Sequence, residues 1–185
     1  LRMLQNNDSI EIDVGKAGER YFVNYISFGF DVEILKKSYK IKKVIRSGIA
    51  YIFSLLSTLI TYKCQNYNID NKSEKIYLAT IHNGKYYGGG MKINPFAEIN
   101  DGLLDLCVVK KMSRLKLLTL FPSVFSGKHY KFKKIVSFKS RRNFTIENEN
   151  KTISCGMDGE LYELQSPIEV TIVPRCVKMI RFKHY

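Results

Sequence analysis

Alternation of polar and apolar residues marks both ends of the chain as β-structure. Residues 9–14 (SIEIDV) alternate, residues 20–28 (RYFVNYISF) are rich in β-branched and aromatic side chains, and GKAG lies between them. This pair predicts a hairpin with a four-residue loop. Turn residues separate further apolar runs, which predict strands at residues 64–69, 75–81, 103–110, 135–140, 142–148, 152–157, 160–164 and 168–173.

Two segments show helical spacing instead. Residues 31–63 carry apolar side chains at helical intervals, interrupted near Ser47 and Gly48, which predicts two helices in series. Residues 113–125 start with Ser113 as a helix cap, and Pro122 should end or kink that helix. The pattern predicts a mainly β fold with helical insertions (α+β), built as an antiparallel β-sandwich. No repeat or low-complexity linker divides the sequence, so residues 1–185 are interpreted as a single domain.

One apolar segment raises the question of a membrane. Residues 47–62 (SGIAYIFSLLSTLITY) are shorter than the roughly 20 residues that a spanning helix needs, and they contain several Ser and Thr. Two interpretations stay open: a helix packed against the core, or a helix that touches a membrane surface or lines an apolar pocket. Under the second interpretation the walls of an acyl-chain pocket would include Ile52, Phe53, Leu56 and Leu59.

Charge restricts the partners without choosing one. Thirty Lys and Arg against 17 Asp and Glu give a net charge of +13, which favours phosphate in nucleic acids, nucleotides or anionic lipid head groups. The sequence contains no RNA-binding motif of the type KGFGFVxF and no zinc knuckle, which argues against nucleic acid. Four cysteines without CxxC spacing, and no signal peptide at Leu1, favour free thiols in a reducing cytoplasm.

Two acidic motifs are candidates for chemistry. GGGMKINPFAEINDGLLDL (residues 88–106) places three glycines ahead of a loop rich in oxygen donors, which predicts either a site for a hard cation or a plain turn. In MDGE (residues 157–160) a strand would put Asp158 and Glu160 on one face, whereas a turn at Gly159 would not. No pair of the three histidines has metal-ligand spacing.

These motifs occur in a recognisable order. NYISFGFD (residues 24–31), the glycine-rich stretch, SGKHYKFKKI (residues 126–135) and MDGE together resemble the C-terminal domain of the diacylglycerol kinase family of lipid kinases. That family includes bacterial diacylglycerol kinases, sphingosine kinases and ceramide kinases, and it is distantly similar to NAD kinases. Its members carry an N-terminal domain with a GGDGT loop for ATP, and no such loop occurs here. The resemblance therefore implies the second half of a two-domain enzyme, inactive when isolated.

The resemblance also implies a site. A structural Mg²⁺ would be held by the Asp101 carboxylate and the backbone carbonyls of Glu98 and Leu103. Glu160 would be the catalytic base, and Asp158 would lie near the nucleotide or its magnesium.

The partners implied are ATP as phosphoryl donor, a lipid hydroxyl as acceptor and an anionic membrane surface. Residues 36–43 and 128–134 supply basic docking surfaces. The enzyme would then be cytoplasmic and peripherally bound to the membrane, with a homodimer left open. Two alternatives remain: a non-catalytic basic module that binds anionic membrane or nucleic acid, and a NAD kinase-like enzyme.

Overall fold

The computed structural model describes residues 9–42, 54, 55, 57–59 and 61–180. Eleven strands occur in this part of the chain: β1 Ser9–Ala17, β2 Arg20–Phe22, β3 Tyr25–Gly29, β4 Gln65–Ile69, β5 Lys72–His82, β6 Leu104–Lys110, β7 Val136–Arg141, β8 Asn143–Glu147, β9 Thr152–Met157, β10 Glu160–Gln165 and β11 Ile168–Ile180. Helix α1 spans Phe30–Lys42 and helix α2 spans Arg114–Phe125, with short 3₁₀ helices at Gly88–Gly90 and Lys128–Lys131. The described residues between 54 and 61 are also helical.

The strands form one antiparallel sheet that branches at β5. Its main path runs β10-β9-β3-β5-β4-β8-β11-β1-β2, and β6 and β7 leave this path because β6 also pairs with β5. The eleven residues of β5 are long enough for β4 to pair with one half and β3 with the other, while β6 runs along the opposite edge. The branched sheet curls into a sandwich, as the sequence pattern predicts.

Strand β6 shows how the sheet separates two apolar cores. Leu104, Leu106 and Val108 point into the cluster enclosed by the sheet, whereas Cys107 and Val109 point into a second cluster covered by α1 and α2. Because both faces are buried, the sequence LDLCVVK is apolar at every position except Asp105 and Lys110. The cavity described below lies on the helical side of the sheet.

The first hairpin differs from its prediction. Strand β1 continues through Ala17 and the turn comprises only Gly18 and Glu19, with Gly18 at φ 58°. The predicted strand over residues 20–28 is two strands, β2 and β3, interrupted at Val23 and Asn24. Periodicity does not show this interruption, because a distant carboxylate causes it (see below).

The predicted start of α2 is confirmed, whereas its end differs from one of the two predicted outcomes. Ser113 caps α2 as predicted, its hydroxyl accepting the N–H of Lys116 at 3.4 Å. Pro122 lies inside α2 and does not end it, since the helix continues to Phe125. The predicted interruption near Ser47 and Gly48 lies outside the described residues.

The cysteines are free thiols, as predicted. Burial raises the pKa of both Cys107 and Cys155 to about 12, so these two thiols stay protonated and unreactive. No helix in the described part of the chain is long and apolar enough to cross a membrane.

We predict that His82 makes the fold less stable in mild acid. Its ring is fully buried at the end of β5, Nδ1 donates to the Gly84 carbonyl at 3.1 Å, and burial lowers its pKa to about 3. Between that value and the unfolded pKa of about 6.5 the unfolded chain binds one more proton, so stability falls as pH falls. We expect a loss of up to about 1.4 kcal/mol per pH unit between pH 6.5 and pH 5.

Urea denaturation of wild type and His82→Asn at several pH values checks this expectation. The variant should have a smaller pH slope whatever its stability at neutral pH. His129→Gln is the comparison variant, because burial also lowers the pKa of His129. An unchanged slope in His82→Asn would assign the acid sensitivity to other groups.

Candidate functional site

The DG pair of the MDGE motif forms the turn between β9 and β10. Asp158 and Gly159 have φ angles of 47° and 90°, and Glu160 pairs directly with Met157. A two-residue turn with both φ values positive matches the right-handed twist of the strands it joins. Gly159 therefore turns the chain, and the two acidic residues do not share one face of a strand.

The carboxylate of Asp158 binds three consecutive backbone N–H groups. Oδ2 accepts from Val23 at 2.7 Å, and Oδ1 accepts from Asn24 and Tyr25 at 3.0 Å each. The Asp158 N–H returns a bond to the Tyr25 carbonyl at 3.2 Å. These bonds interrupt the predicted strand between β2 and β3. A carboxylate has about four acceptor positions, so Asp158 keeps about one for a further partner.

Glu160 is the first residue of β10, and its side chain is exposed. Its Oε2 accepts a 2.8 Å hydrogen bond from the hydroxyl of Tyr39 on α1. The same bond is the main cause that raises the pKa of Tyr39 above its ordinary value. Glu160 is thus reachable from solvent, with one oxygen bonded to a helix that packs on the sheet.

An apolar cavity of about 80 Å³ lies between the sheet and the helices. Its walls come from α1, from β5 and β6, and from the inner face of α2, and include Phe30, Ile34, Tyr77, Val109, Leu117 and Leu120. The predicted acyl-chain residues Ile52, Phe53 and Leu56 lie outside the described residues. Leu59 is partly buried against the same cluster.

Asp31 brings a carboxyl group into this apolar wall. It follows β3 in the first turn of α1, is only 5% exposed, and its Oδ2 accepts a 2.8 Å hydrogen bond from Ser27. Burial raises the pKa of Asp31 above its ordinary value, and interactions with Tyr87 and Ser27 partly oppose that rise. Sequence reasoning assigned Asp31 no role, because an acidic residue in a first helical turn ordinarily serves the helix dipole.

Tyr25 links the acidic turn to the cavity. Its N–H donates to Asp158, and its ring stacks on Tyr87 with centroids 3.9 Å apart. Tyr87 in turn lines the cavity beside Asp31. The two features therefore belong to one connected region on the helical side of the sheet.

The predicted magnesium loop is attached to a buried aspartate. Asp101 Oδ1 accepts the N–H of Leu103 at 2.9 Å within the loop. Asp13 on β1 is fully buried, and its Oδ2 accepts the N–H of Gly102 at 2.7 Å while its own N–H donates to Ile99 at 2.8 Å. Its Oδ1 accepts the N–H of Arg175 at 2.7 Å, which ties β11 to the same point. Sequence reasoning missed Asp13, because SIEIDV makes it one more polar position in an alternating strand.

The loop has the donor chemistry that magnesium prefers. Glu98 and Asp101 are exposed, and Leu103 is half-buried. Burial raises the pKa of Asp105, the hydrogen bond from Ser140 opposes this, and the charges of Asp101 and Glu98 raise it further. The described residues contain no cluster of three or more His, Cys, Asp or Glu positioned around one ion. One carboxylate, carbonyl oxygens and several waters are sufficient for Mg²⁺, so the site stays a prediction.

The three glycines form a short 3₁₀ turn on the surface. Gly89 and Gly90 have φ angles of 72° and 78°, which other residues adopt only with strain, and Tyr87 closes the turn by donating to Met91 at 2.7 Å. A Cβ atom at any of the three positions would meet no described atom within 4 Å. Their backbone thus lies open, and close approach of a nucleotide or partner domain there stays a prediction.

The chain is similar to several known proteins. The sequence profile of a family described as the YegS C-terminal NAD kinase beta sandwich-like domain matches residues 24–181. The diacylglycerol kinase of Mycobacterium tuberculosis (strain ATCC 25618 / H37Rv) is 28% identical over 183 residues, covering 94% of this chain and 58% of that protein. This chain thus spans less than two thirds of that relative.

Solved structures agree on the fold. The crystal structure of a diacylglycerol kinase from Bacillus anthracis str. Sterne superposes with a TM-score of 0.64 at 19% identity, covering 97% of this chain and 56% of that one. Another crystal structure from that strain gives a TM-score of 0.71 at 23% identity, with coverages of 97% and 59%. At such low identity these superpositions show a shared fold alone.

We predict that Asp13 is worth more to stability than Asp101, although both belong to the loop's hydrogen-bond network. Asp13→Ala leaves the N–H groups of Gly102 and Arg175 without their acceptor beside a buried site, and should lower the free energy of unfolding by about 3 kcal/mol. Asp101→Ala removes one bond at an exposed position and should cost less than about 1 kcal/mol. Urea denaturation at neutral pH measures both, and equal losses would show that Asp13 does not anchor the loop.

Proposed function

Because this chain belongs to the family described as the YegS C-terminal NAD kinase beta sandwich-like domain, we propose that it is the C-terminal half of an ATP-dependent lipid kinase. The family is one of lipid kinases, as the names of its relatives state. The reaction proposed is transfer of the γ-phosphoryl group of ATP to a lipid hydroxyl, with diacylglycerol or a similar lipid as acceptor. The ATP site would lie mostly on the part of the relatives that this chain does not span.

The observation that carries this proposal is the apolar cavity with one carboxyl group in its wall. Most binding sites for small molecules combine an apolar lining with a few polar groups that fix orientation. Here the acyl chain would contact the inner face of α2, and Asp31 would hydrogen-bond a polar group near the head of the lipid. A cavity of about 80 Å³ is small against the 300–1,000 Å³ typical of ligand sites, so binding would require α2 to move outward from the sheet.

Glu160 is proposed as the base. Its carboxylate would accept the proton of the lipid hydroxyl as that oxygen attacks the γ-phosphorus, and the bond from this phosphorus to the bridging oxygen of ADP would break. Phosphoryl transfer depends mainly on positioning and on charge stabilisation. The Tyr39 hydroxyl, which donates to Oε2, fixes one oxygen of Glu160 and leaves the other for the substrate.

Asp158 and Asp101 have supporting roles in this scheme. Asp158 holds the loop before β3 through three backbone bonds, which fixes the turn that presents Glu160. Its remaining acceptor position would face the nucleotide or its magnesium. A second, structural Mg²⁺, bound by the Asp101 carboxylate and the backbone carbonyls of Glu98 and Leu103, would offset the negative charge that Asp101 and Glu98 bring close to Asp105.

The two alternatives receive less support. The relative from Mycobacterium tuberculosis is named a diacylglycerol kinase, so a NAD kinase-like activity is not favoured, and an apolar cavity suits a lipid better than a soluble dinucleotide. A non-catalytic basic module would not account for a carboxyl group in the wall of an apolar cavity.

We predict that Glu160→Gln lowers kcat of the full-length kinase by about 10² to 10⁴-fold, because glutamine keeps the shape and removes the proton acceptor. The KM for ATP should change little. Glu163→Gln is the matched control, since Glu163 is another exposed glutamate on β10, and it should keep near-normal kcat. Steady-state assays with dioleoylglycerol and radiolabelled ATP measure both variants.

Two results would contradict the proposal. Near-normal kcat in Glu160→Gln at saturating lipid and ATP would make Glu160 a turn residue and place the base elsewhere. Robust turnover by residues 1–185 alone would show that a second domain is not needed for the chemistry.

We also predict that filling the cavity affects the lipid and not the nucleotide. Leu120→Phe adds volume to the cavity wall on α2, so KM for dioleoylglycerol should rise by about tenfold while KM for ATP stays constant. Leu106→Phe is the control, because Leu106 is buried in the other core and does not line the cavity. Equal effects of both variants on the lipid KM would mean that the cavity does not receive the acyl chain.

A further inference from the structure

Helix α2 has apolar residues on two opposite faces. Its inner face, with Leu117, Leu120 and Val124, lines the cavity. The outward stripe follows the spacing 115, 118, 122, 125, and its Leu115, Leu118 and Phe125 are 73%, 48% and 50% exposed. A surface helix normally has an apolar inner face and a polar outer one. This second stripe therefore indicates a partner that covers it.

The stripe is accompanied by exposed aromatic side chains from neighbouring segments. Phe132 follows the 3₁₀ helix after α2 and is 42% exposed. Phe96 and Tyr130 are 55% and 39% exposed, and their rings pack edge to face with centroids 5.6 Å apart. Phe125 packs edge to face on Phe121 at 5.6 Å, and Phe121 lines the cavity. We call Leu115, Leu118, Phe125, Tyr130 and Phe132 the outer apolar face.

The chain around this face carries charge of one sign. Between Asp105 and Glu147 there is no Asp or Glu, whereas eleven Lys and Arg occur. Lys110 pairs with Glu74, and Lys139 and Arg141 pair with Asp70. The others near the face form no ion pair with any described residue: Arg114, Lys116, Lys128, Lys131, Lys133 and Lys134. Apolar and cationic side chains thus occur together, without acidic neighbours in the sequence.

We propose that the outer apolar face docks into the surface of an anionic lipid bilayer. Peripheral proteins bind such membranes by burying apolar side chains among the head groups and acyl chains, with cations nearby. Docking there would place the membrane on one side of α2 and the cavity on the other, so the lipid would pass along this helix. The proposal rests on the lipid substrate proposed above, and it names the surface by which that substrate is reached.

The side chains favour a bilayer over nucleic acid. Proteins bind single-stranded nucleic acid by stacking bases on aromatic rings, and the most exposed apolar residue here is the aliphatic Leu115, which offers no stacking surface. Transfer of the isobutyl side chain of leucine from water into the acyl region lowers the free energy. Nucleic acid and a second copy of the chain are accordingly the alternatives to test.

The sequence permits a direct test because it contains no tryptophan. Leu115→Trp places a single fluorophore on the outer apolar face of the 185-residue chain. Its emission should shift to shorter wavelength with phosphatidylcholine–phosphatidylglycerol vesicles, and brominated acyl chains should quench it. Tyr21→Trp is the control, since Tyr21 is 61% exposed on the edge strand β2, and its emission should not shift.

A second measurement tests how much the apolar side chains contribute to the free energy of membrane binding. The double variant Leu115→Ser, Leu118→Ser should lower the partition coefficient onto the same vesicles by about tenfold or more in flotation assays. Both side chains are exposed, so the fold should persist, which circular dichroism verifies. Raising the salt from about 0.1 M to about 0.5 M should weaken wild-type binding, because screening reduces the attraction of cations to the head groups.

Four results would overturn the proposal. Two concern the vesicles: no spectral shift in Leu115→Trp, or an equal shift in Tyr21→Trp. The other two point to another partner: a shift that an RNA oligonucleotide causes and vesicles do not, or a shift without vesicles that accompanies dimerisation in sedimentation experiments.

The proposed docking face and the proposed lipid cavity can be contradicted independently of each other. Vesicle insertion with no effect of Leu120→Phe on the lipid KM would support the docking face and contradict the proposed cavity. A raised lipid KM in Leu120→Phe together with no vesicle insertion would support the proposed cavity and contradict the docking face.

Discussion

The carboxylate of Asp158 is the interaction on which the arrangement of the site depends. Three successive N–H groups, from residue 23 to residue 25, converge on its two oxygens. Hydrogen bonds to a charged acceptor contribute about 1.5–3 kcal/mol each, enough to stop β2 and start β3 at a defined residue. Strand β3 then pairs with β9 and β5, and α1 begins directly after it. The positions of Asp31, of Tyr39 and of the Tyr25 ring all follow from where β3 starts.

Helix α1 transmits that position to both parts of the proposed site. Asp31 in its first turn meets the cavity, and Tyr39 in its third turn binds Glu160. Eight residues at 1.5 Å each separate the two by about 12 Å along the helix axis. A buried polar group and an exposed acid are thus kept at fixed separation by one rigid element, as suits a substrate with a head group and a long apolar tail.

The sequence predicts the parts of the fold that a local pattern determines, such as an apolar run or a helix cap. LDLCVVK is a strand because both of its faces are buried, and Ser113 starts α2 because its hydroxyl satisfies a free N–H group. The break at Val23 and Asn24 could not be predicted, since its cause lies about 135 residues further along the chain. The role of Asp13 could not be predicted either. A buried aspartate that accepts hydrogen bonds from distant N–H groups has the same local sequence pattern as an exposed aspartate in an alternating strand. Motif order predicts roles for Glu160 and Asp101, which stay predictions, whereas the side chains that lie beside them, Tyr39 and Asp13, were found only in the structure.

The sheet and helix α2 differ in how completely their backbone groups are hydrogen-bonded. The backbone of β5 is paired on both sides along most of its length, and carboxylates fix the loops of the sheet at Asp158 and Asp13. In α2, Pro122 has no N–H, so the carbonyl of Leu118 lacks its usual partner one turn later. Helix α2 thus lacks one backbone hydrogen bond, is apolar on both faces and lies over a cavity too small for an acyl chain, so it is the element that we propose to move. Its outward displacement would enlarge the cavity while the sheet holds Asp158 and Glu160, the groups proposed to take part in the reaction, in place.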